Sequence, residues 1–172
     1  MGKEVSAVWV LDDATNQKLN EIRKVLYIFG IEPGPVYGHI TFAHFLDVDV
    51  DEILEYTRRF AAGKSSFHIN CNALGYLSTN CIACIPSTSG KLLEYYEEYH
   101  REFDSYCNVW TKAESGLWLP HISLFYSEII DMGKVLGEMA KRFVQFSGKI
   151  VRLELSIVNE SGFDIIYSHK LD

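Results

Sequence analysis

The sequence predicts one domain of mixed strands and helices, folded as two lobes about a shared cleft. Three observations carry this. The order strand, helix, strand, helix, strand occurs twice, once in each half of the chain. No linker rich in Gly, Ser or Pro separates the halves, which places them in one folded unit. With 172 residues, 48% of them hydrophobic and 13% aromatic, the chain has the length for one core and ample apolar surface to bury in it.

In the first half, Val5 to Leu11 is β-rich and runs into Asp12-Asp13, two good caps for a helix whose apolar positions Leu19, Ile22, Leu26 and Phe29 step by three and four. Gly30 ends that helix, Pro33-Gly34-Pro35 makes a loop, and Tyr37 to Phe42 has the content of a second strand. Asp49 and Glu52 form a capping box that opens a helix through Ile53, Leu54 and Phe60, closed by Gly63. Phe67, Ile69, Cys71 and Ala73 then alternate with Ser66, His68, Asn70 and Asn72, as in a strand with one polar face.

The second half repeats that order. Cys81 to Ile85 reads as a strand, Thr88 to Tyr106 as a helix striped by Leu92, Tyr96, Tyr99 and Phe103, and His121 to Phe125 as a strand. Met132, Val135, Leu136, Met139 and Phe143 mark the next helix, and Ile150 to Val158 and Phe163 to Leu171 the last strands. The halves cover about residues 1–79 and 80–172.

Composition excludes several function classes. A net charge of -7 repels polyanions, so a sequence-blind grip on long duplex nucleic acid is not expected, while a small or end-on anionic substrate is. There is no apolar run near the ~20 residues of a transmembrane helix and no signal-peptide pattern, so a cytoplasmic protein without membrane contact is expected. Met1-Gly2-Lys3-Glu4-Val5-Ser6 satisfies the loose myristoylation pattern, but Val5 onward already reads as strand. Cys71, Cys81, Cys84 and Cys107 are too scattered for a disulfide framework, and Cys81 and Cys84, three apart in a strand, point to opposite faces. No metal is expected, because helical ligand spacing and a short ligand cluster are both lacking.

The chemistry resides in one feature that both halves share on the second strand, His39-Ile40-Thr41-Phe42 and His121-Ile122-Ser123-Leu124. Residues two apart in a strand share a face, so each imidazole stands beside a hydroxyl while two apolar residues anchor the pair from behind. If a pseudo-twofold axis relates the repeats, the imidazoles face each other across the cleft. Opposed imidazoles suit in-line displacement at phosphorus: a neutral one takes a proton from the nucleophile and a protonated one gives a proton to the leaving oxygen. Thr41 and Ser123 can donate hydrogen bonds to the non-bridging oxygens. Tyr37 shares a face with His39 and Phe125 with His121, so either ring can stack on a nucleobase, and Trp118 is a third candidate.

These two motifs resemble the two-histidine (2H) phosphoesterase superfamily, with its RNA 2',5'-ligase-like (LigT-like) proteins and cyclic phosphodiesterases. The resemblance covers the element order over nearly the whole chain and assigns catalysis to His39, Thr41, His121 and Ser123. It implies an α+β, bilobal pseudo-twofold fold, with two antiparallel sheets and flanking helices around a central cleft. It also implies metal-independent hydrolysis of 2',3'-cyclic or 2',5'-linked phosphates of nucleotides or RNA ends, with no cofactor. The second motif departs from the family pattern in having Ser123 for the commoner Thr, which keeps the hydroxyl and drops the methyl that restrains its rotamer. The acidic balance favours small substrates over long RNA. A monomer is expected. The competing reading is a non-catalytic protein of the same fold that grips a nucleotide or RNA-end phosphate.

Outside the motifs, His100 reads as part of an acidic helix face with Glu97, Glu98 and Glu102, His68 as a solvent-facing strand residue, and His44 and His169 as bystanders. Arg58, Arg59, Lys64 and Lys112 are the basic candidates for a phosphate contact.

Overall fold

A computed structural model describes residues 3–78, 80–88, 90–160 and 162–172. Met1 and Gly2 of the myristoylation pattern, and Thr79 at the expected boundary between halves, lie outside the described residues. Seven strands and four α-helices alternate as expected: β1 (Lys3–Leu11), α1 (Asp13–Arg23), β2 (His39–Val48), α2 (Val50–Ala61), β3 (Phe67–Leu77), β4 (Cys81–Pro86), α3 (Lys91–Tyr99), β5 (Ile122–Tyr126), α4 (Met132–Ala140), β6 (Phe146–Asn159) and β7 (Gly162–Lys170).

All strand pairings are antiparallel, in the order β2-β1-β6-β3-β4-β5, with β7 on β6. The two expected sheets are joined through the 14-residue β6. Its first residues, Phe146 to Ile150, pair with β3, while Ile150 to Asn159 pair with β1 and β7. Each half of the chain thus gives its third strand to the other's sheet. Read from its two ends, the strand order is the same, with β2, β1, β6 mirrored by β5, β4, β3.

Local chemistry sets the element ends. Asp12 caps α1, its carboxylate accepting from Thr15 N, and Asp49 caps α2 by accepting from Asp51 N and Glu52 N. The α1 stripe continues into a 3-10 turn, Lys24–Phe29, which Gly30 closes at φ 72°. β2 runs on to Val48, β6 starts at Phe146, and α4 stops at Ala140, short of Phe143; two further differences move side chains. α3 ends at Tyr99 rather than Tyr106, so His100 turns inward and is buried, its Nε2 bonded to Phe42 O at 2.7 Å and its Nδ1 to Asp104 at 2.7 Å. Its expected place on a solvated acidic face is therefore corrected. On β3 the alternation holds for Phe67, Ile69 and Cys71 and then fails, because a register shift between Cys71 and Ala73 turns Ala73 out to solvent.

One core lies beneath the helices. Trp9 stacks on Phe42 at 4.5 Å, and Phe60, Phe67, Tyr95 and Tyr99 pack around that pair from α2, β3 and α3. All four cysteines are free and buried. Cys84 shares a hydrogen bond with Cys71 on the neighbouring strand, and that contact together with burial pushes its thiol pKa up.

Candidate active site

His39, Thr41, His121 and Ser123 are placed by two strands built alike. On β2, Ile40 and Phe42 are fully buried, and on the β5 side Ile122 and Leu124 are 0% and 3% exposed, so the intervening residues turn away from the core into surface hollows. Burying each such anchor is worth about 1.5–3 kcal/mol, enough to hold the strand face. Both strands also carry a β-bulge at the same point. Thr41 pairs with Val8 and Ala43 with Ala7, leaving Phe42 as the extra residue. Ser123 pairs with Ala83 and Phe125 with Ile82, leaving Leu124 as the extra residue.

The imidazoles are oriented identically. His39 Nδ1 donates to Tyr37 O at 2.8 Å, and His121 Nδ1 donates to Leu119 O at 2.9 Å. A carbonyl only accepts, so both rings carry a proton on Nδ1, and among the described residues neither Nε2 has a hydrogen-bond partner. Burial holds the His39 pKa below its ordinary value, and the charge of His121 pushes it the same way, so the two rings feel each other electrostatically. The Tyr37 carbonyl and the Glu154 carboxylate oppose that shift.

The segment leading to His39 is pinned by α1. Asn16 Oδ1 accepts from Gly38 N at 3.0 Å, and Asn20 Oδ1 accepts from Val36 N at 3.1 Å. Arg23 donates to Gly34 O at 2.6 Å. A side chain at Gly38 would have its Cβ 2.3 Å from Asn16 Oδ1 and 2.7 Å from Leu11 Cδ1, so it would have to displace the Asn16 amide that holds this segment. Arg23 also reaches the other lobe, donating from Nε to Leu124 O at 2.8 Å.

The two histidines line different hollows. His39 and Thr41 line a cavity of about 390 Å³ with Ser6, Tyr37, Ser156 and Phe163. His121 and Ser123 line one of about 360 Å³ with Arg23, Phe125 and Tyr126. His121 also borders an apolar hollow of about 390 Å³ formed with Leu77, Trp110, Leu117 and Leu119.

The aromatic candidates divide. Tyr37 lines the His39 cavity, its ring 5.3 Å from that imidazole and its hydroxyl bonded to Glu154. Phe125 lines the His121 cavity while packing partly against the core, and exposed Tyr126 follows it along the cavity wall. Trp118 stacks on Tyr96 at 3.8 Å and donates its indole N–H to Thr41 O at 3.1 Å, tying the two motif strands together.

Sequence reasoning missed Arg23, Gly38 and Glu154, and only Gly38 carried a signal, as a glycine next to a motif histidine. Of the four basic candidates for a phosphate contact, Lys64 pairs with Glu98, Lys112 with Glu114 and Arg59 with Glu102, and Arg58 lies over Tyr167. None of them lines the motif cavities described above, and the cation there is Arg23. A short ligand cluster, expected to be lacking, does form from His100, Asp104 and Cys107, with ligand atoms within 4.8 Å of one another. Its atoms are held by Phe42 O and the loop amides of Ala113 and Glu114, apart from the four motif residues. His44 bonds through Nδ1 to Ser6 Oγ at 2.7 Å. Among the described residues, no helix is long and apolar enough to cross a membrane.

No protein-family model matches the chain, and no curated protein matches it in sequence. Solved structures do match. TT0787 of Thermus thermophilus superposes with a TM-score of 0.69 at 14% identity, over 98% of this chain and 97% of that one. A protein named as a phosphoesterase gives 0.60 at 12% identity over 99% of both chains. E. coli LigT in its apo form gives 0.59 at 13% identity over 98% of this chain and 97% of that one, and LigT complexed with 3'-AMP gives 0.56. The chain therefore has the LigT-like α+β fold that its two motifs led us to expect.

Proposed function

We propose that the protein is a metal-independent phosphodiesterase acting on 2',3'-cyclic or 2',5'-linked phosphates of nucleotides or RNA ends, with His39 and His121 as its acid and base. The observation that carries this is the matched tautomer: each Nδ1 is spent on a carbonyl two residues back, which leaves two free Nε2 atoms for proton transfer. In hydrolysis of a cyclic phosphate, one neutral Nε2 takes a proton from water as its oxygen bonds to phosphorus. The bond from phosphorus to the 2'- or 3'-oxygen breaks, and the other imidazolium returns a proton to that oxygen, leaving a phosphomonoester. Thr41 and Ser123 donate to the non-bridging oxygens, and Arg23 brings positive charge into the His121 cavity. The fold relative that binds 3'-AMP supports a nucleotide-sized substrate, as does the net charge of -7. On this reading the chain works as a single domain of two exchanged halves, and as a monomer.

The test is a panel of 2',3'-cyclic mononucleotides, 2',5'-linked dinucleotides and long structured RNA, assayed with EDTA present. Turnover of the small substrates should persist in chelator and at least equal that of long RNA. Activity that disappears with EDTA and returns with zinc or manganese would sink the mechanism. Nucleotide binding without turnover would install the binding-protein reading instead.

A further inference from the structure

Glu154 is a buried carboxylate, 3% exposed, on the central strand β6, opposite Val8 of β1 and Ser168 of β7. Burying a carboxylate costs several kcal/mol unless it is paired and hydrogen-bonded. Three donors meet it: the Tyr37 hydroxyl, Arg152 Nε at 2.6 Å and Ser168 Oγ at 3.1 Å. Burial and then the Glu154 bond hold the Tyr37 phenol pKa above its ordinary value, so at neutral pH the phenol keeps the proton it donates. Strands on both sides make Glu154 a rigid post. Tyr37, by contrast, precedes β2 and is 36% exposed, and the irregular chain around it is held by the Leu11 N–H on Gly38 O and by side-chain ties.

Tyr37 is also the residue whose carbonyl receives the His39 Nδ1 proton. Its ring is 5.3 Å from that imidazole and 6.0 Å from Phe163. We infer that Glu154 is a positioning residue for His39: by anchoring the Tyr37 phenol it fixes the Tyr37 carbonyl, which selects the Nδ1–H tautomer and aims Nε2 into the cleft. Among the described residues, no such post stands at the second half-site. Leu119, which holds His121 in the same way, is 49% exposed and lines an apolar hollow. Its carbonyl is placed instead by the neighbouring Trp118, through the Tyr96 stack and the Thr41 bond.

The inference rests on the two-histidine reading for its consequence in catalysis, and its first measurement does not depend on activity. Imidazole nitrogen NMR on the full chain reports the tautomer of each histidine. In Glu154→Ala and in Tyr37→Phe, His39 should move from the Nδ1–H form to a mixture or to Nε2–H, while His121 stays Nδ1–H. Tyr37→Phe keeps the ring and lies at a half-exposed site, so it serves as the second variant should Glu154→Ala fail to fold. Glu154→Gln retains an acceptor for the phenol and should keep most of the wild-type tautomer. With a turned-over substrate, Glu154→Ala should lower kcat about tenfold with KM little changed, and adding Tyr37→Phe should cost nothing more. A tautomer switch without turnover in any protein would uphold the inference and remove the phosphodiesterase reading. His39 remaining Nδ1–H in both variants, or His121 shifting equally, would overturn the inference.

Discussion

The His39 and His121 half-sites are alike within four residues and unlike beyond them. Each places an imidazole, a hydroxyl two residues on, two buried anchors and a bulge after the hydroxyl, and each bonds Nδ1 to the carbonyl two residues back. Around His39 the support is polar, from Asn16, Asn20, Glu154 and Arg152. Around His121 it is aromatic and apolar, from Trp118, Leu117 and Trp110, with Arg23 the cation. The difference teaches that a strand motif fixes the reacting groups, while the packing of distant segments decides how firmly each is held and what it faces.

The largest expected effect tests the likeness. His39→Ala and His121→Ala should each lose roughly a hundred- to ten-thousand-fold in kcat/KM, with the buried anchors holding the fold. The double variant should be little slower than either single one, since both groups serve one transition state. Losses that multiply would mean the halves act independently.

The next effect tests the difference just ahead of each histidine, where Gly38 stands in one half and Pro120 in the other. Gly38→Ala should destabilise the fold by about 1–3 kcal/mol through overpacking against Asn16 and Leu11. It should also lower activity by displacing His39. Denaturant midpoints checked beside turnover measure both, and a Gly38→Ala protein as stable as wild type would show that the α1 contact yields freely.

These contrasts mark how much the sequence revealed. The strand-helix order, both motifs and the caps Asp12 and Asp49 were legible because periodicity, parity and capping are local. The bulges were not, since a bulge is defined by the partner strand, and so Ala73 was assigned to the wrong parity. His100 was misplaced because the end of α3 depends on where the chain must turn to reach Phe42. Arg23 and Glu154 gave no signal, as a cation in the last turn of a helix and an acid in a strand take their meaning from residues about a hundred positions away.

A smaller effect concerns pH. The folded His39 pKa lies below its ordinary 6.5, so the unfolded chain binds the proton first. The contribution of His39 to stability is therefore complete above that value and declines as the pH falls through the window just below it. His39→Asn should flatten this part of a stability-against-pH curve, read as the difference from wild type. A variant-minus-wild-type difference that falls toward acid would contradict burial as the main cause. Smallest of all, Trp118→Phe keeps the stack on Tyr96 and loses the bond to Thr41 O, which should cost about 1 kcal/mol in denaturant unfolding. A loss several times larger would mean that the indole supports more than this one tie.

The central claim, that the two free Nε2 atoms act as one acid and one base, is tested most directly by kcat/KM against pH on a cyclic or 2',5'-linked substrate for wild type, His39→Ala and His121→Ala. The wild-type profile should be bell-shaped, and each variant should lose one limb, a different limb in each. Two variants that both keep the full bell, or that lose the same limb, would contradict it.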